Sequence, residues 1–173
     1  MEFKKIIIVA AVLSLTACSK PHDFSGAYIT TFGDSCDEVQ PSESLIVIVP
    51  ATGDNTYTAS LNPQMSGGLF PTESQPAMVS DDGSLTFMFY KEGKSGFSSK
   101  PAVDMKIKLV NKNDDYIYIE NWPVTLTSAK YPSMRGSFNF ITDSEVNIMG
   151  QTAPNVIATY VGENGLCLKK SSV

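Results

Sequence analysis

Val103-Asp104-Met105-Lys106-Ile107-Lys108-Leu109-Val110 has the clearest strand pattern in this chain. Apolar residues at the odd positions alternate with charged residues at 104, 106 and 108, so an extended strand here has one apolar face and one polar face. Residues 111–115 are typical of a polar hairpin turn that leads into a second strand, 116–120. The stretch therefore predicts an antiparallel sheet that packs one face on a core.

Short β-prone segments separated by turn residues continue on both sides of this strand. The run at 45–49 is wholly apolar, which predicts a strand buried on both faces. No stretch after residue 18 keeps a helical apolar period beyond two turns. The chain is therefore predicted to be all-β, a single antiparallel β-barrel or β-sandwich of about 8–10 strands after an N-terminal signal helix. The further predicted strands are 26–32, 56–61, 85–90, 124–127, 135–142, 156–161 and 166–169.

Residues 62–80 are the least regular part of the predicted domain. Glycine and proline interrupt any strand there, which predicts an exposed excursion or lid-like loop. Long loops of this kind are often functional, although a plain surface insertion fits the same pattern. The apolar residues among the turn residues are candidates for contact with a partner, and they are Met65, Leu69, Phe70 and Met78.

The N-terminus has the three parts of an export signal. Lys4 and Lys5 form the positive end, residues 6–15 are apolar except for Ser14, and small residues lead to Cys18. The apolar run is about half the roughly 20 residues that a transmembrane helix needs. A removed signal is therefore the expected fate of residues 1–17, and a short signal-anchor is the alternative.

Leu15-Thr16-Ala17-Cys18 resembles the lipobox of bacterial lipoproteins, Leu-(Ala/Ser/Thr)-(Gly/Ala)-Cys. The resemblance implies cleavage before Cys18, a covalent diacylglycerol on its thiol and an N-acyl chain on its amine, with no other cofactor. It divides the chain into a signal peptide (1–17), a lipidated tether (18–23) and a β-rich domain (24–173). Ser19, rather than aspartate, after the cysteine implies the outer membrane in enterobacterial-type lipoproteins. The membrane is thus one partner, held through the acyl chains.

Charge indicates which partners are expected besides the membrane, and cysteine content indicates a disulfide. Residues 18–173 carry 11 basic and 17 acidic side chains, so an exported domain of this composition is not expected to bind nucleic acid. With Cys18 lipidated, Cys36 and Cys167 remain as a pair in an oxidising compartment, which favours a disulfide between the first and last strand regions. Two free buried thiols or a metal pair are the alternatives.

Two further resemblances concern the start of the domain. Phe24-Ser25-Gly26-Ala27-Tyr28 resembles the Gly-x-Trp opening of lipocalins and related barrels, with Tyr28 in place of tryptophan. Gly33-Asp34-Ser35-Cys36 is similar to the Cys-x-x-Cys segment of envelope-stress lipoproteins, but it keeps only the second cysteine. Both resemblances imply a barrel.

The residues that catalysis usually requires are sparse. His22 is the only histidine, and its place in the tether indicates a solvated linker residue rather than a general base or metal ligand. Asp34, Asp37, Glu38 and the pairs Asp81-Asp82 and Asp114-Asp115 match no calcium loop and indicate solvated turns. No metal site and no catalytic residue is predicted.

These observations favour a non-enzymatic, outer-membrane-anchored module that binds another envelope or secreted protein, as accessory subunits, inhibitors, immunity and exclusion lipoproteins do. The alternative is a calycin-like carrier of a small apolar ligand, which requires an interior cavity. A hydrolase that uses two carboxylates is the least favoured reading.

Overall fold

The computed structural model describes residues 22–31, 36, 44–66, 68–97, 99–148 and 150–171. The predicted signal peptide, Cys18 and the predicted tether through residue 21 lie outside these residues. In the described part, the chain forms two short 3-10 helices, Pro63–Ser66 and Val156–Tyr160. Neither helix has the length and apolar character that a bilayer span needs. The strands are β1 (Gly26–Thr30), β2 (Ile46–Pro50), β3 (Thr56–Leu61), β4 (Ala77–Met78), β5 (Leu85–Lys91), β6 (Ala102–Asn111), β7 (Tyr116–Asn121), β8 (Pro123–Thr127), β9 (Arg135–Asn139), β10 (Glu145–Ile148), β11 (Gln151–Pro154), β12 (Val161–Gly162) and β13 (Gly165–Lys170).

Strand β6 is the centre of the main sheet, as its alternating sequence predicts. Its odd-numbered apolar residues are buried, whereas Asp104 and Lys106 are exposed. One edge of β6 pairs with β5 from Leu85 opposite Leu109 to Lys91 opposite Val103. The other edge is shared, because β8 pairs with its first half and β7 with its second half. The all-β prediction is confirmed.

The sheet curls into a barrel-like fold. Its antiparallel strands follow the order β4-β3-β2-β1-β13-β7-β6-β8-β9, and β5 lies on the free edge of β6. The two sides meet through residues 72–79: Ser74 N donates to Ala59 O on one side at 2.9 Å, and Gln75 N donates to Met88 O on the other at 2.8 Å. Backbone pairing thus continues from β3 to β5.

This pairing corrects the prediction of an exposed excursion over 62–80. The prediction is wrong for 72–79, because these residues add a strand-like link between β3 and β5. Proline at 71 and 76 does not prevent this, since neither position supplies the N–H groups that the link uses. Only the first part of the segment, with the 3-10 helix Pro63–Ser66, leaves the sheet.

A second correction concerns β2. Its continuous apolar run predicted burial on both faces, but only Ile46 and Ile48 are buried, while Val47 and Val49 are exposed. Val47 and Val49 lie on the outer wall, where β-branched residues fit a pleated strand without a layer above them. In β2, buried and exposed positions therefore alternate although the side chains at 46–49 are all apolar.

One hydrophobic core fills the barrel from Phe24 at the start of β1 to Leu168 in β13. Tyr28 is fully buried, and its hydroxyl donates to Phe24 O at 3.0 Å, so the phenol brings no unpaired group into the core. Full burial of a large apolar side chain stabilises a fold by roughly 1.5–3 kcal/mol. Among the described residues, the core therefore extends from Phe24 to Leu168.

Cys36 and Cys167 form a disulfide with their Cα atoms 5.7 Å apart. This confirms the predicted pairing. The bridge packs with Tyr118 in a small cluster separate from the main core, and Val110 and Tyr116 flank it. Leu166 and Leu168 of β13 belong to the main core, so β13 is buried on both faces where the bridge covers it.

The barrel has two ends, which the strand register defines. The end at which β1 begins, which we call the tether end, also holds the turns at 51–55, 80–84 and 112–115. At the far end, β1 finishes, β2 begins and β6 starts. β6 has ten residues, which span about 30 Å along the wall.

His22 lies at the tether end and is not a solvated linker residue, which corrects that prediction. Its side chain is 12% exposed, and its Nδ1 lies 3.8 Å from a carboxylate oxygen of Asp114. The imidazole packs edge-on against Phe24, with ring centroids 4.9 Å apart. Phe24 lies at the end of the barrel, and its apolar ring is the surface on which His22 packs. This contact buries the imidazole, and the sequence of the predicted tether does not reveal it.

Candidate functional site

An apolar cavity of about 570 Å³ opens at the far end of the barrel. Its floor consists of core residues from several strands, including Leu45, Leu61, Met105 and Leu166. Its walls come from the loop after β3 and from residues 140–148 and 150–160, which together we call the cover segment. The cover segment contributes Phe140, Val146, Ile148, Ile157 and Tyr160.

The cover segment is a hairpin followed by a 3-10 helix. Strands β10 and β11 pair only with each other among the described strands, and Gly136 of β9 lies close to Asn147 of β10. The sequence predicted a strand at 156–161, but the chain forms the 3-10 helix Val156–Tyr160 there. The local signal for this helix is its N-cap, Asn155, because asparagine is a residue type that favours N-caps.

Asn155 holds the parts of the cover segment together. It is buried, its Oδ1 accepts from Ile157 N at 3.1 Å, and its Nδ2 donates to Phe140 O at 2.9 Å and to Asp143 O at 2.6 Å. The hydrogen bonds join the end of β9, the β10–β11 hairpin and the 3-10 helix. This places Ile157 and Tyr160 over the cavity in a fixed position.

Aromatic rings form one wall of the cavity. The Phe140 ring centroid lies 4.9 Å from that of Trp122, 5.0 Å from Phe138 and 5.8 Å from Phe70. Three of the four rings line the cavity, and Phe138 supports them from the core. Aromatic pairs at these distances add roughly 0.5–1.5 kcal/mol each beyond the area they bury. The wall is thus a packed cluster and not a set of loose side chains.

Trp122 lies where the chain passes from β7 to β8. Its backbone N donates to Asn139 Oδ1 at 3.2 Å, and Pro123 begins the next strand. The side chain is 4% exposed, and Nε1 has no hydrogen-bond partner among the described residues. A buried donor without a partner is uncommon in folded proteins. Trp122 is also the single tryptophan of the chain, which makes it a reporter for the cavity.

The described lining of the cavity is mainly apolar. Its described lining includes one titratable side chain, Tyr160, and is otherwise apolar or made of amides and threonine. The carboxylates and imidazole with a shifted pKa lie elsewhere, as for His22 and Asp23 at the tether end. Desolvation lowers the pKa of His22, and a backbone hydrogen bond from Ser25 is the largest cause that lowers the pKa of Asp23.

The residues predicted to contact a partner occupy different environments. Phe70 packs against the core and lines the cavity, whereas Met78 on β4 is 68% exposed. Leu69 is half-buried, and the side chain of Met65 lies outside the described ones. Partner contact stays a prediction for this set, and Phe70 also belongs to the cavity.

In comparisons with known proteins, no family model matches this chain, and neither a curated protein nor a solved structure is significantly similar to it.

Proposed function

We propose that this chain is a non-enzymatic lipoprotein of a bacterial outer membrane whose barrel binds an apolar ligand in the cavity at its far end. The cavity, with its aromatic wall and its floor of core side chains, is the observation that supports ligand binding. The lipobox-like sequence at 15–18 supports the anchor. Mass spectrometry of the mature chain would locate the acyl chains on Cys18.

The size and lining of the cavity indicate the class of ligand. A volume of about 570 Å³ lies within the roughly 300–1,000 Å³ of typical small-molecule sites. An acyl chain or a compact apolar ring system fits such a lining, and each buried CH₂ group contributes about 0.8 kcal/mol before the cost of association. A fatty acid is therefore a suitable first probe.

The proposed anchor and the cavity lie at opposite ends of the barrel. Cys18 precedes His22 by four residues, which reach about 14 Å at most when extended. The tether end therefore stays close to the anchoring membrane. The cavity lies at the other end of the strands, where a ligand arrives from the aqueous side.

A cavity-filling variant tests this function. Ile157→Phe adds volume where a half-buried side chain lines the cavity, and Val49→Phe makes the same kind of change on the exposed outer wall. We expect calorimetry with a fatty acid to show binding to the domain that begins at Ser19, tenfold or more weaker binding to Ile157→Phe, and unchanged binding to Val49→Phe. Equal affinity of both variants and the parent would contradict the cavity as the binding site.

Exposed side chains on the outer wall of the barrel favour a second candidate function, a module that binds another protein. Met78 of β4 and Met88 and Tyr90 of β5 are all exposed, and β4 and β5 belong to neighbouring parts of the sheet. Methionine and tyrosine suit adaptable protein interfaces. A photo-crosslinking residue at Met88 should capture an envelope protein in cells, whereas one at exposed Gln151, in the separate β10–β11 sheet, should not. Capture of the same protein from both positions would count against this wall as the interface.

A further inference from the structure

Trp122 carries an unused hydrogen-bond donor in the wall of the cavity. Its side chain is 4% exposed, lines the cavity and belongs to the main core. The indole Nε1 is buried and has no hydrogen-bond partner among the described residues. Because a buried N–H without an acceptor destabilises the state that contains it, an acceptor on a bound molecule would stabilise the complex.

The backbone and the ring of Trp122 are both held in place. Its N donates to Asn139 Oδ1 at 3.2 Å, and its O accepts from Phe140 N at 3.1 Å. Asn139 is fixed in turn, because its Nδ2 donates to Asn121 Oδ1 at 2.6 Å. The Phe140 ring packs on the indole with the centroids 4.9 Å apart and the planes at 58°. The indole is therefore ordered before a ligand arrives, which lowers the entropy lost on binding.

The other buried side-chain donor of the cavity is already occupied. Among the buried residues of the described lining, only Trp122 and Asn155 have N–H groups in their side chains. Asn155 uses its Nδ2 within the cover segment, where it donates to Phe140 O and to Asp143 O. The indole N–H of Trp122 is therefore the buried side-chain donor of this lining that a ligand can use.

The charge of the lining indicates which kind of acceptor fits beside Trp122. No lysine, arginine or histidine is among the described residues that line the cavity. A carboxylate or phosphate next to the buried indole would lose its hydration without gaining a counter-charge, which is costly. A neutral carbonyl accepts the same hydrogen bond with a much smaller loss of hydration. Gln64 and Val156 are exposed lining residues and mark the solvent side of the cavity, where a charged group stays hydrated.

We propose that the cavity selects apolar molecules with a neutral carbonyl, as in a ketone or an ester, and that the indole N–H of Trp122 donates to this carbonyl. The inference rests on the proposed function, because it adds a specificity-determining residue to the same cavity. A few placed polar groups in an apolar site typically fix the orientation of the ligand. A fatty acid, in contrast, binds with its carboxylate on the solvent side, and its chain contacts Trp122.

The indole signal of Trp122 tests this hydrogen bond directly, because a chain with a single tryptophan gives one indole peak in a proton–nitrogen correlation spectrum. The domain that begins at Ser19 keeps every described residue. The probes are methyl octyl ketone, decane from an overlaid layer, and decanoate at neutral pH, which have equal numbers of carbon atoms and differ in the acceptor. We expect the ketone to move the indole proton downfield in a saturable way, and decane and decanoate to cause no such downfield shift.

Matched variants test whether the N–H itself causes the preference. Trp122→Phe removes the donor, whereas Phe140→Leu reduces a neighbouring ring of the same wall and removes no donor. Displacement of a fluorescent fatty acid gives the affinity of each variant for the ketone and for decane. We expect the ratio of these two affinities to fall by roughly fivefold or more in Trp122→Phe and to stay near that of the parent in Phe140→Leu.

An equal ratio in the parent and in Trp122→Phe, or the same indole shift with the ketone and with decane, would overturn the inference while ligand binding in the cavity stands. A downfield shift with decanoate as large as that with the ketone would overturn the selection of a neutral group. If none of the three probes binds, the proposed function fails as well, so the two failures are distinguishable. The indole measurement uses the unsubstituted domain and therefore does not depend on the folding of a variant.

Discussion

His22 shows how the fold changes the properties of a single side chain. The imidazole lies at the tether end against Phe24, and its Nε2 is buried without a hydrogen-bond partner among the described residues. Desolvation is the largest cause that lowers its pKa from the ordinary 6.5, and it outweighs the opposite effect of Asp114. The neutral form therefore fits the folded state better than the charged form.

The sign of this shift gives a prediction at the residue scale. Because the unfolded chain binds a proton at His22 more readily than the folded domain does, the stabilising effect is complete above pH 6.5 and decreases as pH falls through the lowered pKa. Urea unfolding should show a smaller free energy of unfolding at pH 5 than at pH 7.5, and His22→Phe should reduce that difference. If the difference between pH 5 and pH 7.5 is unchanged in His22→Phe, other groups cause it. Asp23 is not expected to be one of them, because its pKa is lowered from 3.8 and its effect on stability therefore changes only near and below pH 3.8.

At the scale of elements, residues 72–79 decide whether the barrel is closed. Ser74 makes two contacts with β3, because its N donates to Ala59 O at 2.9 Å and its Oγ accepts from Ala59 N at 2.8 Å. The neighbouring Gln75 makes the contact with β5. Excision of 66–75 would therefore open the barrel rather than trim a surface loop.

Two substitutions at Ser74 separate these contacts. Ser74→Ala removes only the hydroxyl and should lower the free energy of unfolding by about 1 kcal/mol. Ser74→Pro also removes the backbone donor from a paired strand, so its loss should be roughly 2–3 kcal/mol. Urea unfolding of the two variants measures both. Equal effects would mean that the backbone bond to Ala59 adds nothing to closure.

Local sequence predicts some of the strands and turns, but it does not predict the cover segment or the cavity. The alternation of β6 and the hairpin turn that leads from it into β7 are local patterns, and the sequence predicts both. The cover segment was not, because Val156–Tyr160 has the same apolar, β-branched composition as a strand. The cavity depends on how Phe70, Trp122 and Ile157 meet from distant parts of the chain, which no local pattern encodes.

At the scale of the whole molecule, the disulfide joins residues 131 apart in sequence. It covers the outer face of β7 and β13 and takes no part in the main core. Its effect is therefore expected to come mostly from the unfolded chain, which the bridge restricts.

Replacement of both bridge cysteines by serine should keep the fold and the cavity but lower the free energy of unfolding, by up to roughly 5 kcal/mol in the chain-entropy model. Urea unfolding of this variant against the oxidised parent gives the difference. Loss of the folded domain in the absence of urea would show that the bridge is also needed to build the barrel.

Ligand binding in the cavity can be measured through Trp122, the single tryptophan, which lines the cavity. The measurement is tryptophan fluorescence of the domain from Ser19, titrated with a fatty acid that carries bromine within its chain. If the cavity holds the acyl chain, the fluorescence is quenched in a saturable way, the unbrominated acid competes, and Ile157→Phe removes the effect. Fluorescence that stays constant, or quenching that Ile157→Phe leaves unchanged, would contradict ligand binding in the cavity.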